Sequence, residues 1–242
     1  MLATQDLTIR FGGHVAVNAV TCAFAPGTLT AIVGPNGAGK TTYFNLISGQ
    51  LPASEGTVTL AGEDITALPA PLRTRRGLGR AFQLTQLFPN LTVHENVRLA
   101  IQAREAGRGH GGALDMWRVW SDRKGWIAEA SRILEQVRLA DKAQAHASSL
   151  PHGDQRKLEV ALLIALDPKV FMFDEPTAGM SVDEVPVVLD LIRSLKARRD
   201  IVILLVEHKM DVVRELSDRI IVLHNGQLVA DGEPATVIAS PV

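Results

Sequence analysis

Cysteine and long apolar runs are what this chain has least of. Cys22 stands alone among 242 residues, which excludes an internal disulfide and fits a reducing compartment. Its expected role is that of a small buried apolar residue rather than a reactive thiol. No stretch reaches the roughly 18–20 uninterrupted apolar residues of a membrane span; the best, residues 160–173, is broken by Asp167-Pro168-Lys169. The N-terminus opens on a strand-like pattern without the basic, apolar and small-residue regions of a signal sequence. The chain therefore reads as cytosolic, with any membrane connection made through a partner. A surplus of either charge is missing too. With 25 Lys and Arg against 26 Asp and Glu, there is no electrostatic case for nucleic acid as a main partner.

The rest is ordinary globular composition, 46% hydrophobic and 21% charged, over a length that suits an α/β core with a subdomain. Residues 7–11 and 15–24 alternate like strands around a Gly12-Gly13 turn. Residues 28–33 form an apolar run that stops at Gly34, expected to be a buried strand, and a helix is predicted over 39–48 with Gly49 at its end. Residues 56–60 and the Ala61-Gly62 turn suggest a hairpin, 66–76 a short helix and 79–83 a strand. From about 92 to 165 apolar residues recur at helical spacing, interrupted by a loop-like stretch at 107–112. Trp117, Trp120 and Trp126 follow it and read as packing anchors. Segments 170–173, 182–195, 201–206, 210–216 and 220–223 then alternate strand with helix, arguing for a parallel sheet with helices on its faces.

Two places carry chemistry. Gly34-Pro35-Asn36-Gly37-Ala38-Gly39-Lys40-Thr41 satisfies the phosphate-loop pattern, with strand before and helix after, as that pattern requires. Glycines let backbone N–H groups turn inward around a phosphate, and the helix N-terminus adds its positive end. Lys40 can reach the β and γ oxygens, and the Thr41 hydroxyl can ligate Mg²⁺. Alone, this loop says only "nucleoside triphosphate". The second place is the apolar run 170–173, which ends in Asp174-Glu175. A buried strand aimed at the loop can set Asp174 near Mg²⁺ and Glu175 where it polarises the attacking water; a helix cap before Pro176 is the alternative. A second apolar strand, 201–206, ends in Glu207-His208, and a His at the end of a core strand beside Glu175 is a candidate for the γ-phosphate.

In order along the chain, the phosphate loop, Arg80-Ala81-Phe82-Gln83, Leu150-Pro151-His152-Gly153-Asp154-Gln155-Arg156, Asp174-Glu175-Pro176 and His208 resemble the motif series of ABC ATPases. The resemblance covers nearly the whole chain. It implies a single α/β domain: a RecA-like P-loop NTPase core with a small antiparallel β subdomain (1–90 and 165–242) and an inserted helical subdomain (about 91–164). It implies ATP hydrolysis with Mg²⁺, and two such cassettes, identical or not, that sandwich ATP between the loop of one and the segment around 150–155 of the other. By position it assigns Phe11, whose alternative is strand packing, to adenine stacking, and Ala16 to a small contact on the same base. Thr42 continues the phosphate loop, Gln83 would bind Mg²⁺ or the attacking water, residues 179–181 would cross the dimer contact, and 84–92 would face permease subunits. The family's usual Leu-Ser-Gly-Gly-Gln is altered. Pro151 removes a hydroxyl and an N–H, leaving Gly153 and the helix N-terminus as donors, with Asp154 as an acceptor for a ribose hydroxyl.

A narrower resemblance is to ATPases of branched-chain amino acid importers. It is carried by Phe11-Gly12-Gly13 with Ala16, Val17, Asn18 and Val20, by Lys40-Thr41-Thr42 with Phe44 and Asn45, by Leu87, Phe88, Glu95 and Asn96, and by Val206-Glu207-His208-Lys209-Met210. It implies a peripheral subunit on the cytoplasmic face of the inner membrane, held by permease subunits and served indirectly by a substrate-binding protein. That group usually runs on into a short tail, whereas this sequence stops at Pro241-Val242. Lipopolysaccharide export, urea or amide uptake, and a soluble ABC ATPase outside transport are the competing readings.

Overall fold

The computed structural model describes residues 1–81, 87–108 and 124–239. The described residues group into two compact units: one of Met1–Arg80, Lys169–Glu175 and the residues from Arg193 on, the other from within Ala81–Pro168 and Pro176–Ile192.

The first unit holds two sheets. Strands β1 (Leu2–Phe11), β2 (His14–Phe24), β4 (Glu55–Leu60) and β5 (Glu63–Asp64) make an antiparallel sheet in the order β2-β1-β4-β5. The six-stranded sheet runs β10-β9-β3-β8-β7-β6, from β3 (Leu29–Val33), β6 (Leu78–Ala81), β7 (Val170–Asp174), β8 (Val202–Val206), β9 (Arg219–His224) and β10 (Gln227–Gly232). β7 pairs in parallel with β8, which pairs with β3, which pairs with β9. Every residue of β3, β7 and β8 is buried, which explains why these strands read as continuous apolar runs rather than alternating ones. The expected parallel sheet is in fact mixed: β10 returns antiparallel to β9 through the Asn225–Gly226 turn. β10 alternates between exposed and half-buried residues, too weak a pattern to mark it in advance. Leu2, Phe24, Ile32, Tyr43, Phe44, Met172 and Leu204 belong to one fully buried core, and Cys22 lies buried in it as a free thiol.

Helix α1 (Lys40–Ser48) follows β3 and ends at Gly49 in the left-handed conformation. Its last carbonyls are held by Arg73, a fully buried side chain on α2 (Ala70–Arg75). Arg73 Nη1 donates to the carbonyls of Leu46 and Ile47 at 2.7 Å each, Nη2 to Thr66 and Nε to Leu68. A cation at a helix C-terminus meets the negative end of its dipole. α2 is shorter than the predicted 66–76, because the Asp64 carboxylate accepts from Thr66 N in a turn and Pro69 then starts the helix.

The second unit is helical. α3 (Val93–Gly107) opens with a capping box in which Thr92 accepts from Glu95 N at 3.1 Å and Glu95 accepts from Thr92 N at 2.8 Å. α4 (Lys124–Gln136) and α5 (His152–Leu166) complete it. Arg104 on α3 bonds both Glu129 oxygens on α4, at 2.7 and 2.9 Å, and the Ala165 carbonyl on α5 at 3.1 Å. Residues 176–192 group with these helices, whereas the sequence assigned them to the core; Glu184 packs against Gly153 and Lys157 of α5. α6 (Val185–Lys196) starts later than the predicted residue 182, since Glu184 Oε2 accepts from Ser181 N in a preceding turn. α7 (Met210–Leu216) and α8 (Pro234–Ala239) belong to the first unit. No described helix is long and apolar enough to cross a membrane.

Candidate active site

The sheet order places β3, β8 and β7 side by side, so residues that follow their C-terminal ends meet in one place. Residues 34–39 follow β3, Glu207 and His208 follow β8, and Glu175 follows β7. Loops at the carboxyl ends of a parallel sheet are where such folds bind ligands.

Two loop positions admit only glycine. Gly34 has φ 148°, and a Cβ there would lie 2.1 Å from the Leu223 carbonyl oxygen. Gly39 has φ 97°, and its Cβ would lie 2.6 Å from the Ala16 carbonyl oxygen. The loop thus folds back against β2 and β9. Lys40, the first residue of α1, is 6% exposed. Its Nζ donates to the carbonyls of Gly34 at 2.7 Å and Pro35 at 2.9 Å, so the ammonium closes its own loop. Burial pushes its pKa down, and the nearby carboxylates of Glu175 and Asp174 pull the other way.

Glu175 adopts φ +50°, in the left-handed region that non-glycine residues avoid, and its N–H donates to the Val206 carbonyl at 2.9 Å. Its Oε1 lies 2.7 Å from His208 Nε2, and both side chains are about 40% exposed. Glu207, which sequence reasoning left without a role, is buried and accepts from the N–H groups of His208 and Lys209, at 2.8 and 3.2 Å. That shapes the turn that presents His208. Asp174 is buried, and its Oδ2 accepts from Arg80 Nη2 at 2.7 Å. A depression of about 290 Å³ is lined by His14, Ala16, residues 36–42, Glu175 and His208. Thus Ala16, Asn36, Gly37, Ala38, Gly39, Lys40, Thr41, Thr42, Glu175 and His208 come together. Gly34 and Pro35 face the same ground through their bonds to Lys40. Phe11 ends β1 half exposed and is not a lining residue, although its ring is available for stacking rather than committed to the core. Gln83 lies outside the described residues, as do Trp117 and Trp120.

Gly153 and Asp154 belong to the helical unit. The Glu184 carboxylate sits against Gly153, where a Cβ would meet its oxygens at 2.2 Å. Asp154, the expected acceptor for a ribose hydroxyl, is engaged by side chains of its own unit. It is 4% exposed, with Oδ1 bonded to Lys157 Nζ at 2.8 Å and Oδ2 to Lys142 Nζ. Two ammonium groups and the N-terminal turn of α5 draw it inward.

The sequence profile described as ABC transporter matches residues 17–178, about two thirds of the chain. The chain belongs to the ABC transporter family. Over 241 residues it is 35% identical to the high-affinity branched-chain amino acid transport ATP-binding protein LivG of Escherichia coli, covering 100% of this chain and 94% of that one. Over 243 residues it is 36% identical to the corresponding BraF protein of Pseudomonas aeruginosa, with the same coverage. Among solved structures, a nucleotide-free ATP-binding cassette from an ABC transporter matches with a TM-score of 0.81 and 29% identity, covering 100% of this chain and 96% of that one. The ADP conformation of such a cassette matches equally, at 0.81 and 29%, over 100% and 95% of the two chains. Membership in the ABC family makes the chain an ATPase subunit.

Proposed function

We propose that this chain is the ATP-hydrolysing subunit of an ABC importer for branched-chain or related amino acids. The observation that carries the catalytic half is the meeting of Lys40, Glu175 and His208 around one depression. Full-length similarity to LivG and BraF carries the substrate class.

In this reading the triphosphate lies along the N–H groups of residues 36–42, and Lys40 exchanges the Gly34 and Pro35 carbonyls for β and γ oxygens. Because the ammonium is already buried and held at the mouth of the loop, little reorganisation is needed when phosphate arrives. Glu175 orients the attacking water and draws on its proton. His208 steadies Glu175 before ATP binds and the γ-phosphate afterwards. Phe11 stacks on adenine, with Ala16 beneath.

The donor set fits Mg²⁺. Thr41 and Asp174 offer hard oxygen ligands, and among the described residues no group of three or more His, Cys, Asp or Glu forms a dedicated metal cage. That is the economy expected of a cation held by one or two protein oxygens plus phosphate. Mg²⁺, when bound, neutralises charge on the β and γ oxygens. Thr41 and Asp174 would hold it, with Gln83 as a further ligand.

Two cassettes would close head to tail on ATP, with Gly153 and the start of α5 facing the partner's nucleotide, and Asp154 supporting that turn from within. The subunit would sit at the cytoplasmic face of the membrane on permease subunits, served by a substrate-binding protein. The test is reconstitution with those permease subunits and the binding protein. ATP hydrolysis should rise when leucine, isoleucine or valine is supplied to the binding protein. Stimulation by urea or an amide alone would remove the amino acid assignment while leaving the ATPase intact.

A further inference from the structure

Arg80 stands next to the segment expected to carry Gln83 and has no role of its own in the sequence reading. Its side chain is nonetheless 6% exposed. Nη2 donates to Asp174 Oδ2 at 2.7 Å. Nη1 donates to Asn45 Oδ1 at 2.6 Å and lies 3.0 Å from both Ser48 Oγ and Gln50 Oε1. The guanidinium carbon is 5.4 Å from the centroid of the Phe44 ring. Phe44, Asn45 and Ser48 lie on α1, the helix that begins with Lys40 and Thr41, and Gln50 follows it. One planar cation therefore ties the end of β7 to the phosphate-loop helix.

The chemistry favours a guanidinium. Its fork of donors spans a carboxylate on one side and amide and hydroxyl oxygens on the other, which the compact lysine ammonium does not. Among the described residues Arg80 is the only cation paired with Asp174 at ion-pair distance. The Asp174 carboxylate is 5% exposed, so its orientation depends on that partner rather than on water.

We propose that Arg80 is a positioning residue. By gripping Asp174 and Asn45 together it fixes the Asp174 carboxylate relative to Thr41, and so sets how strongly a divalent cation strengthens nucleotide binding. This rests on the assignment of Asp174 and Thr41 to the cation made above. Residues that orient metal ligands from outside typically govern about 10–100-fold in metal affinity.

The experiment measures ATP affinity with EDTA and with Mn²⁺, and Mn²⁺ binding to the ATP-bound protein by electron paramagnetic resonance. Arg80→Gln should weaken Mn²⁺ binding about 10–100-fold and shrink the ratio of the two ATP affinities accordingly. Arg80→Lys, which keeps the buried charge, should fall between wild type and Arg80→Gln and serves if Arg80→Gln does not fold. In an Asp174→Asn background, Arg80→Gln should add no further loss of Mn²⁺ affinity. Wild-type Mn²⁺ affinity in both Arg80 variants, or an equal added loss without the Asp174 carboxylate, would overturn the inference alone. Absence of any Mn²⁺ effect on ATP binding in the wild-type chain would instead remove the cation assignment underneath it.

Discussion

His208 Nε2 lies 2.7 Å from Glu175 Oε1, although 33 positions separate them in sequence. Each follows a fully buried strand, and those strands, β8 and β7, are parallel neighbours with Asp174 in register with Val206. The bond from Glu175 N to the Val206 carbonyl draws the chain into the left-handed conformation at Glu175. Such conformations cost on the order of 1–3 kcal/mol and persist where the surroundings enforce them. Here the strain leaves the carboxylate beside the phosphate loop and in reach of the imidazole.

If Glu175 activates the attacking water, Glu175→Gln should bind ATP as the wild-type protein does and release phosphate about 100–10,000-fold more slowly. His208→Ala should slow release roughly 100-fold or more by removing one donor from the reacting phosphate. Single-turnover phosphate release beside equilibrium ATP binding separates the two effects. Near-normal turnover in Glu175→Gln would take Glu175 out of that role.

Lys40→Ala removes the cation that the Gly34 and Pro35 carbonyls hold in place. Charge-assisted bonds of this kind contribute about 1.5–3 kcal/mol each, so ATP should bind about 10–100-fold more weakly in calorimetric titration. Unchanged affinity would mean that the triphosphate does not lie against this loop.

The sequence made the site legible where chemistry and local structure coincide. The glycine spacing before Lys40 and the apolar strands ending in Asp174-Glu175 and Glu207-His208 each announce a position at the end of a buried β-strand. What it hid depends on partners distant in the chain. Arg73 and Arg80 look like surface cations until α1 is packed beside them, and Arg80 finds Asp174 only across 94 positions. Motif position is likewise blind to the bond that Asp154 accepts from Lys142, twelve residues upstream in a 3₁₀ turn. The β10 return was missed because its residues are at most half buried, so no core demand shapes their pattern.

Two glycines of the phosphate loop should respond differently to the same substitution. Both have positive φ, 80° at Gly37 and 97° at Gly39. A Cβ on Gly37 would meet nothing within 4 Å, whereas one on Gly39 would lie 2.6 Å from the Ala16 carbonyl oxygen. Gly37→Ala should therefore cost only the left-handed penalty, about 1–2 kcal/mol. Gly39→Ala must also push β2 away from the loop and should lower the melting temperature further. Thermal unfolding of the two variants checks the order.

Asp154 links acidity to stability. Burial pushes its pKa up, but the hydrogen bonds and charges of Lys142 and Lys157 outweigh that, and the folded state holds it below the ordinary carboxylate range. A depressed carboxylate stabilises the fold above its unfolded pKa, near 3.9, and loses that contribution as pH falls through the folded value. Asp154→Asn should then be less stable than wild type at pH 7 by about 1.5–3 kcal/mol, the range for hydrogen bonds to charged groups. The gap should narrow below about pH 4 as the wild-type carboxylate takes up its proton. Denaturant titrations at pH 7 and pH 3 read this directly, and a gap of equal size at both would mean that the two lysines do not stabilise the first turn of α5 through charge.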